Sequence, residues 1–469
     1  MSDDDAVQIP EPQGRLTMNW KTLPYRDVFR LAWPASVAAS VTPLLGAVDV
    51  WALGRSERPL DIAAVGLGAV IFSLVYWTFG FIRMSVAGLT AQAAGADRED
   101  EARASLVRGA GLGAAIGFIL VLLQAPLGAI AFNLLAIGSD ASDTTFNAAH
   151  DYFSIRIWGA PFALSTYALF GWLSARGRTD FLMIASLVMT GLNIALDWHF
   201  VVNLQQGAAG VAFGTLIAEI AGFVIAVLFA AMIMTEHGGL AAHWRMDELF
   251  RPALIRRTLS VNRDIFIRTL LLAAAYAWFV QRGGAFGDVT LAANQTLLQL
   301  FLFTGLALDG TAIAAETMVG RAVGRRDRKD GYRQYAEAVR ATFIIALAGA
   351  ALFSLFYLVA GDALLRLLSP DISIRSEAAR YMPWVIISPL IVVLGFQLDG
   401  IFIGATRARE MRDGMILTAI AFAPLVIYLA RWYGNHGLWA AFSIYFLLRA
   451  LTLGVYMPRI RRSFFDAPA

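Results

Sequence analysis

The sequence predicts an all-α polytopic membrane protein, with twelve transmembrane helices in two pseudo-symmetric six-helix lobes. Three observations predict it: long apolar runs, basic residues that alternate between the gaps separating those runs, and an internal repeat. Of the 469 residues, 58% are hydrophobic and only 16% charged, and mean hydropathy is +0.61. A soluble domain carries about 25% charged residues. Residues 109–139 contain no charge at all, and a helix needs only about 20 such residues to cross the hydrocarbon. Porin-type strands would instead alternate over about ten residues.

Read against turn signals, the runs place spans near 28–54, 60–94, 104–138, 146–175, 180–200, 209–235, 252–281, 288–319, 333–367, 377–406, 414–432 and 437–458. The first 20 residues are polar, include two prolines and read as a disordered cytoplasmic leader without a cleavable signal. With no cysteine in the chain, disulfides and thiolate metal sites are excluded. The five histidines form no metal spacing and there is no Walker motif, which argues against ATP drive by this chain.

The chain is basic through 36 Arg and only 2 Lys. Such a balance often points to nucleic acid, but these residues fill the gaps between apolar runs. Sorted by gap, 26 fall on one side and six on the other, among them Arg55, Arg282 and Arg431. The positive-inside bias then sets both termini in the cytoplasm.

Residues repeat at an offset of 229: Ala63-Ala64 with Ala292-Ala293, Gly95 with Gly324, Tyr152 with Tyr381, and Gly171 with Gly400. Further on, GAAG at 207–210 meets GNHG at 434–437. The expected organisation is a leader (1–24), an N-lobe (25–235), a cytoplasmic linker (236–251), a C-lobe (252–460) and a tail (461–469). An even helix number per unit relates the lobes by an axis along the membrane normal, an arrangement suited to alternating access by rocking.

Acids at membrane depth usually line a cavity or pathway. Asp49 lies in the outer half of the first span, just beyond Pro43, which frees the carbonyl of Ala39 and makes a conformational hinge there. Asn193 and Asp197, four apart, share a face of the fifth span. Thr215 falls early in the sixth. These oxygen donors suit a proton shared between acids or a hard cation such as Na⁺; spacing leaves the two open. Asp309 and Asp399, each in an LDG triplet, have no acidic equivalent in the first repeat. With Gln92, Asn294, Gln295 and Gln299 they are candidates to line a substrate cleft. Glu219, Glu316, Arg83, Arg156, Arg268 and Arg449 are further charges within spans, some expected at an interface and some paired with acids.

Five stretches resemble the multidrug and toxic compound extrusion family, in its DNA-damage-inducible protein F branch: LAWPASVAASVTPLLGAVDVWALG (31–54), AAVGLGAVIFSLVYWTFGFIRMSVAGLTAQAAG (63–95), LNIALDW (192–198), AANQTL (292–297) and LDGIFIGATRAREMRD (398–413). The resemblance implies an exporter, not an enzyme: two six-helix lobes in a V, without cofactor, expelling hydrophobic and often cationic compounds against inward H⁺ or Na⁺. It maps the family's coupling acid onto Asp49, its fifth-helix Asn and Asp onto Asn193 and Asp197, and its sixth-helix Thr onto Thr215. A sodium-coupled branch relies on an acid in helix 7, where this chain offers only Asp264 near the cytoplasmic start; that favours H⁺.

The leading expectation is a monomeric multidrug antiporter of a bacterial or archaeal inner membrane, with organic small molecules and lipids as partners and no nucleic acid. A lipid-linked precursor flippase would need Arg83, Arg156 and Arg268 to converge in a basic cavity. A non-transporting membrane interaction protein would pack its cleft shut.

Overall fold

A computed structural model describes residues 24–55, 61–136, 142–243, 249, 251–325 and 330–466. The side chains of Thr42–Leu45, Ala47 and Val50 within the first helix also lie outside the description, and with them the expected hinge Pro43. Fourteen long helical elements, α1 to α14, make up the described residues. They are α1 Tyr25–Leu53, α2 Asp61–Phe79, α3 Phe81–Gly95, α4 Glu99–Leu122, α5 Gln124–Ala136, α6 Asp143–Arg156 and α7 Ala160–Ala175. Then come α8 Thr179–Asp197, α9 Gly207–Glu236, α10 Pro252–Gly284, α11 Asp288–Gly324, α12 Gly331–Leu368, α13 Ile372–Gly404 and α14 Ala408–Phe464.

Proline and glycine reconcile this list with twelve spans. The third span bends between α4 and α5 because Pro126 has no N–H for the carbonyl of Leu122. The fourth is interrupted by a 3₁₀ turn, Ile157–Gly159, where Pro161 leaves the carbonyl of Ile157 without its helical donor. Gly80 divides the second span. In α14 the backbone turns over at Gly434, at φ 57° and ψ −140°, and separates the last two spans. Gly207, its expected repeat partner, stands at φ 60°.

The repeat governs how the halves meet. Gly171 lies on the carbonyl of Arg83 and Gly400 on that of Ala312, each so close that a Cβ would sit 2.3 Å away. Gly95 lies on the carbonyl of Arg321, and Gly324 reciprocally on that of Gln92, each at 2.2 Å. Likewise Gln92 Nε2 donates to the carbonyl of Gly404 at 3.0 Å, and Arg321 Nη2 to that of Ala175, also at 3.0 Å. Every one of these pairs is related by the 229-residue offset, so the pseudo-two-fold passes between α3 and the end of α11.

Contacts between the halves run from the end that bears both termini, where Tyr25 and Phe464 pack on one cluster, to an edge-to-face pair of Trp77 and Tyr276 at 6.4 Å. The eighth and tenth spans are the most enclosed, with 61% and 67% of their apolar windows buried against 17% for the ninth. The ninth instead exposes Leu352, Leu355, Leu358 and Val359, the face that lipid would cover.

Candidate functional site

The half of the first six spans away from the terminus-bearing end gathers the predicted polar residues. α8 begins at Thr179, exposes Leu187 and Ile194, and turns Asn193 and Asp197 inward, 1% and 0% exposed. Directly after Asp197 the helix widens into a π turn, Trp198–Asn203, a local irregularity frequent at functional sites. Asp197 Oδ1 fills the space over Gly214, 2.4 Å from where a Cβ would stand. Glycine at that position, one residue before Thr215, leaves room for the carboxyl.

Asn193 donates from Nδ2 to Thr215 Oγ1 at 3.2 Å. From α1, the buried Asp49 comes within electrostatic reach of Asp197. Among the described residues no N–H or hydroxyl reaches Asp49 Oδ1, either Asp197 oxygen or Asn193 Oδ1. Two carboxyl groups hydrogen-bond each other only when one of them carries a proton. The same oxygens, with Thr215, also form a donor set suited to a small hard cation. The four predicted coupling residues are therefore together.

A second polar layer adjoins them. Arg156, at the end of α6, donates to the Tyr152 hydroxyl and has Nη2 3.7 Å from Glu219 Oε1. Its guanidinium lies 4.7 Å from the Phe72 ring centre. The Tyr76 hydroxyl donates to Glu219 Oε2 at 3.4 Å. The sequence pattern placed neither Tyr76 nor Tyr152 in a polar layer; a signal for this layer was Glu219 one turn beyond Thr215, on the same helix face.

The cleft candidates disperse. Asn294 is 1% exposed and exchanges amide hydrogen bonds with Asn435 at 2.7 and 2.9 Å, while Trp439 donates to it at 2.9 Å. It braces α11 to α14 in this structure. Gln92 is taken up in the contact between the halves, also accepting from Arg257 at 3.3 Å. Gln295 and Gln299 share an exposed face of α11. Asp309 is half-buried within electrostatic reach of Arg83, Arg268 and Glu316. Asp399 is buried between Arg268 and Arg449, both of which donate to its Oδ2.

Arg83 meets Glu316 across the halves at 3.5 Å. Asp264 pairs with Arg263 at 2.9 Å and Arg412 at 2.8 Å, and so serves as an ion-paired tie between α10 and α14. Among the described residues, no three His, Cys, Asp or Glu side chains group to hold a metal.

Comparison with known proteins places this architecture. The MatE family model matches twice, over residues 34–199 and 266–432, one match in each half of the repeat. DNA damage-inducible protein F of Escherichia coli K12 is 35% identical over 438 residues, 92% of either chain. Among solved structures, the outward-facing conformation of a multidrug resistance MATE family transporter of the MOP superfamily superposes with a TM-score of 0.81 at 17% identity, covering 94% of this chain and 97% of that one. A MOP superfamily transporter from Pyrococcus furiosus, whose binding pocket has reversed polarity, gives 0.80 at 18% identity, with 94% and 97% covered.

Proposed function

The chain belongs to the MatE family of membrane transporters, and from that premise we propose that it exports hydrophobic or cationic small molecules in exchange for inward H⁺. One observation carries this reading: the buried carboxyls of Asp49 and Asp197 beside Asn193 and Thr215. In an outward-open form the pair takes a proton. Neutralised, α1 is free to repack against α8 and α9, and the substrate leaves outward. The loaded protein turns inward, loses the proton and takes up new cargo. Coupling requires that proton and substrate weaken each other's binding reciprocally.

Closure of the halves at the terminus-bearing end supports the outward-open assignment, with both termini cytoplasmic in a prokaryotic inner membrane. The units 25–235 and 252–460 serve as the rocking bodies of a functional monomer. Gln295, Gln299 and Asp309 are the remaining candidates for contact with cargo. Na⁺ is the alternative ion, held by the same oxygens, and the ion-paired state of Asp264 argues against a helix-7 site for it.

The flippase reading needs a shared basic cavity. Arg83, Arg156 and Arg268 each meet a different carboxylate instead, Glu316, Glu219 and Asp399, the last shared with Arg449, which favours export of cations over lipid-linked phosphates. Drug-dependent proton uptake by proteoliposomes tests the proposal: Asp49→Asn is expected to abolish it, and unaltered coupling in that variant rejects the assignment. Replacing Na⁺ with choline in the same assay separates the two ions.

A further inference from the structure

The fourth span breaks where it passes the acidic pair, and the break positions Arg156. Gly159, in the 3₁₀ turn, has no Cβ because Glu219 Oε2 lies 2.1 Å from where one would be. The turn and α9 thus press Glu219 toward Arg156 and Tyr76, much as Gly214 makes room for Asp197. Arg156 bonds Tyr152 and meets Glu219, yet its Nε has no acceptor among the described residues. It is also within electrostatic reach of Asp49 and Asp197. One cation therefore stands between two acidic stations.

We propose that Arg156 is a counter-ion shared by Asp49 and Glu219, a positioning residue that reports the occupancy of the acidic pair to α2 and α9. The inference rests on the coupling role given above to Asp49. With the pair protonated, Arg156 stays on Glu219, the arrangement in this structure. When the pair empties, an uncompensated carboxylate away from water draws the guanidinium toward Asp49. Glu219 then loses its ion partner, and its bond from Tyr76 must readjust. Tyr76 precedes Trp77, whose ring meets Tyr276 of the other half. A charge change at Asp49 thereby reaches the contact between the halves through Arg156, Glu219 and the backbone of α2. The groups facing Arg156 are Asp49 from α1, Tyr76 from α2, Tyr152 from α6, Tyr167 from α7, Asp197 from α8 and Glu219 from α9.

The test is the pH profile of ethidium transport by the full-length protein in proteoliposomes. Glu219→Gln leaves Arg156 wholly to Asp49, so the midpoint is expected to fall by about one pH unit. Adding Arg156→Gln to that variant removes the cation without stranding the Glu219 carboxylate, and the midpoint is expected to climb back by a similar amount. Arg156→Lys should keep the wild-type midpoint. If Na⁺ is the coupling ion, the same pattern appears as an approximately tenfold rise and recovery of its half-saturating concentration. Lower rates at an unmoved midpoint in both Gln variants overturn the inference and leave Arg156 a brace. A wild-type profile indifferent to pH and Na⁺, or one that Asp49→Asn leaves intact, overturns the coupling reading itself.

Discussion

Arg103 commits all five of its N–H groups. It donates to the carbonyls of Met234, His237, Gly239 and Ala242, at 2.7–3.0 Å, and to Glu99 at 3.1 Å. The side chain is fully buried and caps the end of α9 together with the start of the connection between the halves. Lysine has three donors on a single point and cannot reproduce that fork. Arg103→Lys should therefore destabilise the detergent-solubilised protein by about 3 kcal/mol, since each stranded carbonyl costs about 1–3 kcal/mol; transport per folded molecule should be retained, as the residue is remote from the acidic pair. Thermal unfolding and normalised transport rates check both halves of this expectation. The comparison also marks what single residues disclose in sequence. Asp49, Asn193, Asp197 and Thr215 were legible because polar groups stand out against apolar runs. Arg103 was not, because it sits among arginines whose number alone is explained by membrane orientation. The Arg156–Glu219 pairing was equally hidden, since it joins residues on helices whose relative rotation no single-helix pattern reveals.

At the scale of elements, the short turns at the terminus-bearing end share one device. Gly177, at φ 77°, and Thr406, at φ 52°, occupy equivalent repeat positions, and each is followed by an arginine whose N–H returns to the helix before, to Leu173 at 2.9 Å and Phe402 at 2.8 Å. Such left-handed caps favour glycine. Threonine is tolerated at 406 because its hydroxyl accepts from Gln92 at 3.1 Å and Arg257 at 3.3 Å, binding the turn to the opposite half. No such anchor is built at 177. Gly177→Val should consequently cost about 1–2 kcal/mol, read as a lower unfolding temperature. On the other side of the membrane, Asp371 caps α13 by accepting from the N–H groups of Ser373 at 2.7 Å and Ile374 at 3.3 Å. These bonds hold its carboxyl below the usual carboxylate range. A folded pKa below the unfolded one means the contribution is complete above about pH 4 and fades as acid protonates the cap. Asp371→Asn keeps the acceptor without the charge, so it should flatten stability against pH on the acid side while changing little at neutrality. Helix positions were legible from the apolar runs. The interruptions at Pro126 and Pro161 followed proline chemistry that the same sequence contains, but the π turn after Asp197 has no residue signature.

The whole molecule is organised by its repeat, and the glycines that mark the repeat in sequence are those where backbones touch. Gly95 and Gly324 were readable as equivalent; that each lies on the other's helix was not, because an offset states likeness and not contact. Nor does a sequence state which end of an alternating-access protein is closed. That closure is open to direct test, because the chain has no cysteine of its own. The Cβ of Ala91 lies 2.5 Å from where a Cβ at position 320 would stand, so α3 and α11 need part by only about 1 Å to accept the roughly 3.8 Å Cβ separation of a disulfide. In an Ala91→Cys, Gly320→Cys protein, oxidation is expected to form the bridge within one chain, to stop ethidium transport and to leave the acidic pair open to protons from the opposite side. Reduction should restore transport. If the oxidised protein transports at the wild-type rate, the halves do not need to separate at this end, and rocking about the pseudo-two-fold is not how the chain moves its cargo. Arrest that reduction reverses, absent from either single-cysteine protein, ties transport to the parting of these two helices.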